Sequence, residues 1–131
     1  MNDTQRPPTE GFAGLRVLVV EDEMAIAMLV EDMLLDLGAV VIGPAGRLSQ
    51  GKALAESEEV DVAILDVNVA GESVYPIVDV LARRGVRFIF STGYGAGGID
   101  PSWRDRPILP KPFSQAELEA ALGRAVNGPP P

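Results

Sequence analysis

The chain has 131 residues, 47% of them hydrophobic, and a net charge of −8, which fits one domain with one core and argues against a basic nucleic-acid-binding surface. It has no cysteine and no histidine, which excludes disulfides, thiolate metal sites, any Ser-His-Asp triad and a histidine phosphodonor. No apolar run reaches bilayer-spanning length and Met1–Pro8 lacks the apolar core of a signal peptide, so the chain is read as cytoplasmic, without a membrane partner.

Residues 1–13 read as a flexible tail and 128–131 as a second one, leaving 14–127 as the domain. Arg16–Val20 is a continuous apolar strand, as expected when both faces are buried. Ile26, Leu29, Val30, Met33, Leu34 and Leu37 follow at helical spacing, and Gly38 stands where a left-handed residue closes a helix. Met24, Met28 and Leu35 add a second, partly buried apolar edge to this helix, with weak dimerisation as its other use. Ala39–Ile42 is a strand ended by Gly43-Pro44, and 49–58 a helix with Ser49 as its cap. Asp61–Leu65 is the third strand. Ser73 then caps a helix with Pro76 in its first turn and Val74, Ile77, Val78 and Leu81 on one face. Gly85 ends that helix, and Arg83-Arg84 with Arg87 read as its solvated end.

Val86–Phe90 is the fourth strand. Glycine costs about 1 kcal/mol relative to alanine inside a helix. Gly93, Gly95, Gly97 and Gly98 therefore predict a mobile loop, with at most a short turn around Ile99–Arg104 anchored by Trp103. Pro107–Leu109 is the fifth strand. Ser114 and Glu117 make a capping box for a last helix that buries Leu118, Ala121, Leu122, Ala125 and Val126.

Strands alternating with helices predict a parallel sheet covered on both faces, with its site beyond the carboxyl ends of the strands. Four motifs fall there: Glu21-Asp22-Glu23, Asp66, Ser91-Thr92-Gly93 and Pro110-Lys111-Pro112. Crowded carboxylates repel, and a divalent cation relieves that repulsion. An all-oxygen set of Glu21, Asp22, Asp66 and the Asn68 carbonyl suits magnesium. A carboxylate attacking phosphorus forms an acyl phosphate, and catalysis of that step is mostly positioning and charge neutralisation. Asp66 is placed as the acceptor, Lys111 as the cation and Thr92 as a hydroxyl donor to a phosphoryl oxygen. Taken singly, each residue reads as an ordinary cap, turn or loop residue; their joint order and spacing carry the reading.

From about Leu15 to Val126 the order and spacing resemble the receiver domain of two-component response regulators. The resemblance implies a flavodoxin-like (CheY-like) α/β fold with a five-stranded parallel sheet of order 2-1-3-4-5, helices on both faces, and here a fourth helix that is short or disordered. It implies magnesium held chiefly by Asp22, Asp66 and the Asn68 carbonyl, with Glu21 acting mostly through water, and a cis peptide between Lys111 and Pro112. It implies phosphoryl transfer to Asp66 from a sensor histidine kinase or histidine phosphotransfer protein. The output is then an unknown downstream protein, in a chain that is itself not an enzyme and is a monomer or weak dimer. Two features depart from the common pattern. Ile108 stands where an aromatic switch residue is usual, and Phe90-Ser91-Thr92-Gly93-Tyr94-Gly95 resembles the FATGUY subgroup, which makes Tyr94 a secondary site residue. The sequence is expected to stand alone rather than to be cut from a longer protein. Two alternatives are a phosphorylation-independent interaction module and a haloacid dehalogenase-type phosphatase. The second requires an acid two residues after the nucleophile, where Asn68 stands.

Overall fold

The computed structural model of the protein describes residues 12–93 and 98–128. Most of the expected tails (1–11 and 129–131), and positions 94–97 with Tyr94, lie outside these residues. Five parallel strands form the central sheet: β1 (Arg16–Val20), β2 (Val40–Ala45), β3 (Val62–Asp66), β6 (Arg87–Thr92) and β7 (Ile108–Pro110), in the order β2-β1-β3-β6-β7. This is the expected 2-1-3-4-5 sheet, with β6 and β7 as its fourth and fifth strands. The difference in number comes from a small antiparallel hairpin, β4 (Asn68–Val69) with β5 (Glu72–Ser73), which the sequence reading did not anticipate.

Side chains alternate across each strand and so divide the core into two layers. Leu18, Val20, Ala63, Leu65, Phe88 and Phe90 face helices α2 (Leu48–Ser57) and α3 (Tyr75–Arg83), where Ala55, Ile77 and Leu81 meet them. Val17, Val19, Val62, Ile64 and Ile89 face α1 (Met24–Asp36) and α4 (Gln115–Asn127), against Val30, Leu34, Leu118 and Leu122. Phe12 packs against the second layer, and the Gly14 N–H donates to the Gly38 carbonyl at 2.9 Å. Among the described residues between β6 and β7 there is no full α-helix, and Pro101–Trp103 form a 3-10 turn. Trp103 anchors it, edge-on to Phe88 at 5.4 Å.

Several local expectations are corrected. Neither Ser49 nor Ser73 caps a helix: Arg47 and Val74 hold those positions without a side-chain cap, and Ser73 is drawn into the hairpin with Asn68. β2 runs through Gly43-Pro44 to Ala45, because it is an edge strand and its register to β1 shifts between Leu18 and Val20; proline is tolerated at an edge or a bulge. β6 and β7 each extend beyond their expected ends, to Thr92 and Pro110. On α1 the buried stripe is Ala27, Val30 and Leu34, whereas Leu29 is exposed, as are Met24, Met28 and Leu35, which were expected to be partly buried. They lie on the outer side of a helix whose inner side alone meets the sheet. Arg84 is not merely solvated. It donates to the carbonyls of Ala55 and Glu58 and so ties the end of α3 to the end of α2. Two features came out as expected: the Ser114–Glu117 capping box is fully formed, and Gly38 has φ +83°.

Candidate functional site

Parallel register brings the four motifs to one edge. Val20 pairs with Leu65, so Glu21 and Asp22 leave β1 beside Asp66, the last residue of β3. Asp66 pairs with Ser91, Thr92 pairs with Pro110, and the Lys111 N–H donates to the Thr92 carbonyl at 3.0 Å. The Lys111 ammonium bridges two of the acids, Glu21 Oε1 at 2.8 Å and Asp66 Oδ2 at 3.2 Å. The Lys111-Pro112 peptide is cis.

Each carboxylate has its own restraints. Glu21 is 5% exposed; beyond Lys111, its Oε2 accepts from the Glu23 N–H at 3.1 Å. Asp66 Oδ1 accepts from the Asn68 N–H at 3.3 Å. Asp22 Oδ2 accepts from the Ala70 N–H at 2.8 Å. The hairpin therefore belongs to the site. Ala70 and Gly71 have φ of +51° and +85°, the pair of positive values that a tight two-residue hairpin turn requires. The Asn68 side-chain oxygen accepts from the Gly71 N–H at 3.0 Å and holds the turn in place.

Burial dominates the electrostatics of Glu21 and Asp66. It raises both carboxyl pKa values, against the opposing pull of Lys111. Burial also works against the charge of Lys111, yet the two carboxylates more than compensate and its pKa is raised. For Asp22 desolvation is outweighed by hydrogen bonding, first from the Ala70 N–H, and its pKa is lowered.

Glu21, Asp22 and Asp66 each offer an oxygen within 4.8 Å of the others. Three carboxylates against one ammonium leave an excess of negative charge, and all-oxygen donors in that space fit a hard divalent cation. A cavity of about 800 Å³ opens over the group, lined by Asp22, Asp66, Asn68, Thr92 and Lys111 among others. The expected set thus converges, apart from Tyr94, outside the described residues, and Ile108. Ile108 is half-buried and packs against the Phe88–Phe90 layer instead of lining this cavity.

Tyr75 was not anticipated. It lines the cavity, its ring meets Phe90 edge-on at 6.4 Å, and its hydroxyl accepts from the Asp100 N–H at 2.6 Å. The signal was positional: a tyrosine before the first-turn proline of the helix that follows the site strand sits at the same sheet edge.

No protein-family model matches the chain. Among solved structures, SdrG from Sphingomonas melonis Fr1 is 38% identical, with a TM-score of 0.79 over 86% of this chain and 97% of that one. The receiver domain of the sensor histidine kinase PA1611 from Pseudomonas aeruginosa PAO1 is 25% identical, with a TM-score of 0.74 over 88% and 100% of the two chains; that structure has magnesium coordinated in its active-site cleft. Among curated proteins, the transcriptional regulatory protein PdtaR of Mycobacterium tuberculosis is 29% identical over 127 residues, covering 92% of this chain. The match spans 62% of PdtaR's own length.

Proposed function

The chain belongs to the receiver domains of two-component response regulators, and from that premise we propose that Asp66 accepts a phosphoryl group. The observation that carries this is the Lys111 ammonium held between Glu21 and Asp66 at the carboxyl ends of β7, β1 and β3. An Asp66 oxygen attacks phosphorus and forms an acyl phosphate, while the bond from phosphorus to the donor's leaving group breaks and that group departs with the electron pair. Lys111 leaves its ion pair with Asp66 to meet the transferred oxygens, and its contact with Glu21 keeps it in place. Thr92, buried at the end of β6, gives its hydroxyl to one of those oxygens.

Magnesium is the cofactor in this reading. Asp22, Asp66 and the Asn68 carbonyl hold it, with Glu21 in support, and when bound it neutralises charge on the transferring group. The Ala70 N–H fixes Asp22, and the Asn68 N–H fixes Asp66, so both carboxylates are oriented before any cation arrives.

The chain has no histidine, so the phosphohistidine donor is another protein, a sensor histidine kinase or a histidine phosphotransfer protein. A groove lined by Ile26, Leu29, Pro112 and Phe113 opens beside Lys111 and supports docking of an apolar donor surface near Asp66. The Phe90-Ser91-Thr92-Gly93 stretch supports a place in the FATGUY subgroup, with output through contact with a protein.

Acetyl phosphate with magnesium is expected to add one phosphoryl group by intact mass, and Asp66→Asn to abolish the addition. An unmodified wild type, or an adduct that survives in Asp66→Asn, overturns the reading.

A further inference from the structure

At the opposite, amino-terminal end of β6 and β7 lies a second cavity of about 440 Å³, lined by Arg87, Phe88, Arg106, Ile108, Arg124 and Ala125. Three guanidiniums and a single carboxylate, that of Asp105, line it, an excess of two positive charges in a chain that carries −8 overall. Arg87 Nε donates to the Gly128 carbonyl at 3.2 Å, which holds it along the wall. Arg106 lies over Trp103 at 5.2 Å and over Phe88 at 6.0 Å, and pairs with Asp105 at 2.8 Å. Its Nε is buried with no hydrogen-bond partner among the described residues. Arg124 is exposed and makes no ion pair among the described residues.

The same groove runs along an open sheet edge. β7 is the last strand of the sheet, and among the described residues it pairs only with β6. The Phe90 N–H donates to the Pro107 carbonyl and the Lys111 N–H to the Thr92 carbonyl, both at 3.0 Å, so residues 107, 109 and 111 face β6. Alternation turns the N–H and C=O of Ile108 to the open edge. Pro110, the other outward-facing residue of β7, carries no N–H, which leaves Ile108 as the one β7 donor on that edge among the described residues.

We propose that this groove takes an extended acidic segment of a partner protein. The segment adds to β7 through a pair of hydrogen bonds at Ile108 and sets its carboxylates against Arg106, Arg124 and Arg87. Guanidinium forks match carboxylates, and strand addition supplies main-chain affinity while side-chain pockets supply specificity. The arginines come from three different elements, the start of β6, the segment before β7 and the last turn of α4, so they line a track rather than converge on one point. A basic segment would be repelled, and a small anion would leave the strand edge unused. This surface is separate from the Asp66 site and does not rest on Asp66 chemistry.

The probe is a capped hexapeptide alternating glutamate with valine, titrated into isotopically labelled full-length protein. Saturable shifts of the Ile108 amide, slower hydrogen exchange at that amide and a change in Trp103 fluorescence are expected. Arg124→Glu should weaken binding at least about tenfold, as loss and reversal of one desolvated charge contact predicts. Asp66→Asn should bind the peptide as the wild type does. Arg124→Ala serves as the second variant if the glutamate variant melts early. The proposal fails if the lysine–valine counterpart binds equally well, if affinity is unchanged in the Arg124 variants, or if the Ile108 amide gains no protection. It also fails if succinate at equal carboxylate concentration gives the same response, which would make this a small-anion pocket.

Discussion

Lys111 is the residue on which the charge balance of the carboxylate edge turns. Glu21 is almost wholly buried, and truncating Lys111 would leave that carboxylate uncompensated; breaking a buried pair costs more than the pair itself contributes. Lys111→Met is therefore expected to lower stability at neutral pH by about 2 kcal/mol, and much less in a Glu21→Gln background. A double-mutant cycle by denaturant unfolding measures the difference; additive effects would mean that the two side chains do not interact. Asp61 is an opposite case at the surface. Hydrogen bonds from the Arg16 side chain, opposed by desolvation, lower its pKa, and it also accepts from the Arg16 N–H at 2.8 Å. A carboxyl with a folded pKa below its unfolded one stabilises the fold above the unfolded pKa and loses that contribution as pH falls through the folded value. Asp61→Asn should thus melt a few degrees below the wild type at pH 7, with the gap closing below about pH 4 in a pH series of thermal melts.

Among the elements, α2 and the β4–β5 hairpin show how local sequence and contact partners divide the work. A Cβ on Gly51 would lie 2.8 Å from Ile77 Cδ1 and 3.1 Å from Val20 Cγ2, so α2 approaches β1 and α3 as closely as a glycine allows. Gly51→Val forces a branched side chain into that contact and should cost about 2 kcal/mol, read as a lower denaturant midpoint with unchanged slope. A helix-propensity argument alone predicts the opposite sign. The hairpin was not legible because its two strands are two residues each, and its turn is held from outside by the Asp22 carboxylate, 48 positions earlier in the chain. Ser73 carried a capping signal, but pairing with Asn68 claimed it first. The Ser114–Glu117 box could be read directly, since both of its hydrogen bonds lie within four residues.

At the scale of the whole molecule, the acid edge is a product of the sheet, and binding there should be felt by the entire fold. Magnesium is expected to raise the melting temperature by several degrees in a saturable way, as a ligand of the native state does, and Asp22→Asn to abolish that shift. A wild type whose melting temperature ignores magnesium would contradict the proposed ligand set. Among the described residues no helix is long and apolar enough to cross a membrane. The aromatic chain Tyr75, Phe90, Phe88, Trp103 runs in edge-to-face steps of 6.4, 5.5 and 5.4 Å from the carboxylate cavity to the arginine-lined one. Only its members on β6 sat in a recognisable strand pattern. The amino-acid sequence determined the parallel α/β alternation and which residues stand at the carboxyl ends of the strands, because apolar period and strand-end position are local properties repeated along the chain; the strand order followed only from the resemblance to receiver domains. Tertiary structure alone decided that Lys111 bridges Glu21 to Asp66, that Asp22 holds the hairpin, that the outer stripe of α1 stays exposed and that Ile108 turns its backbone to an open edge. Each depends on which distant segment occupies the neighbouring space, and no local pattern encodes that.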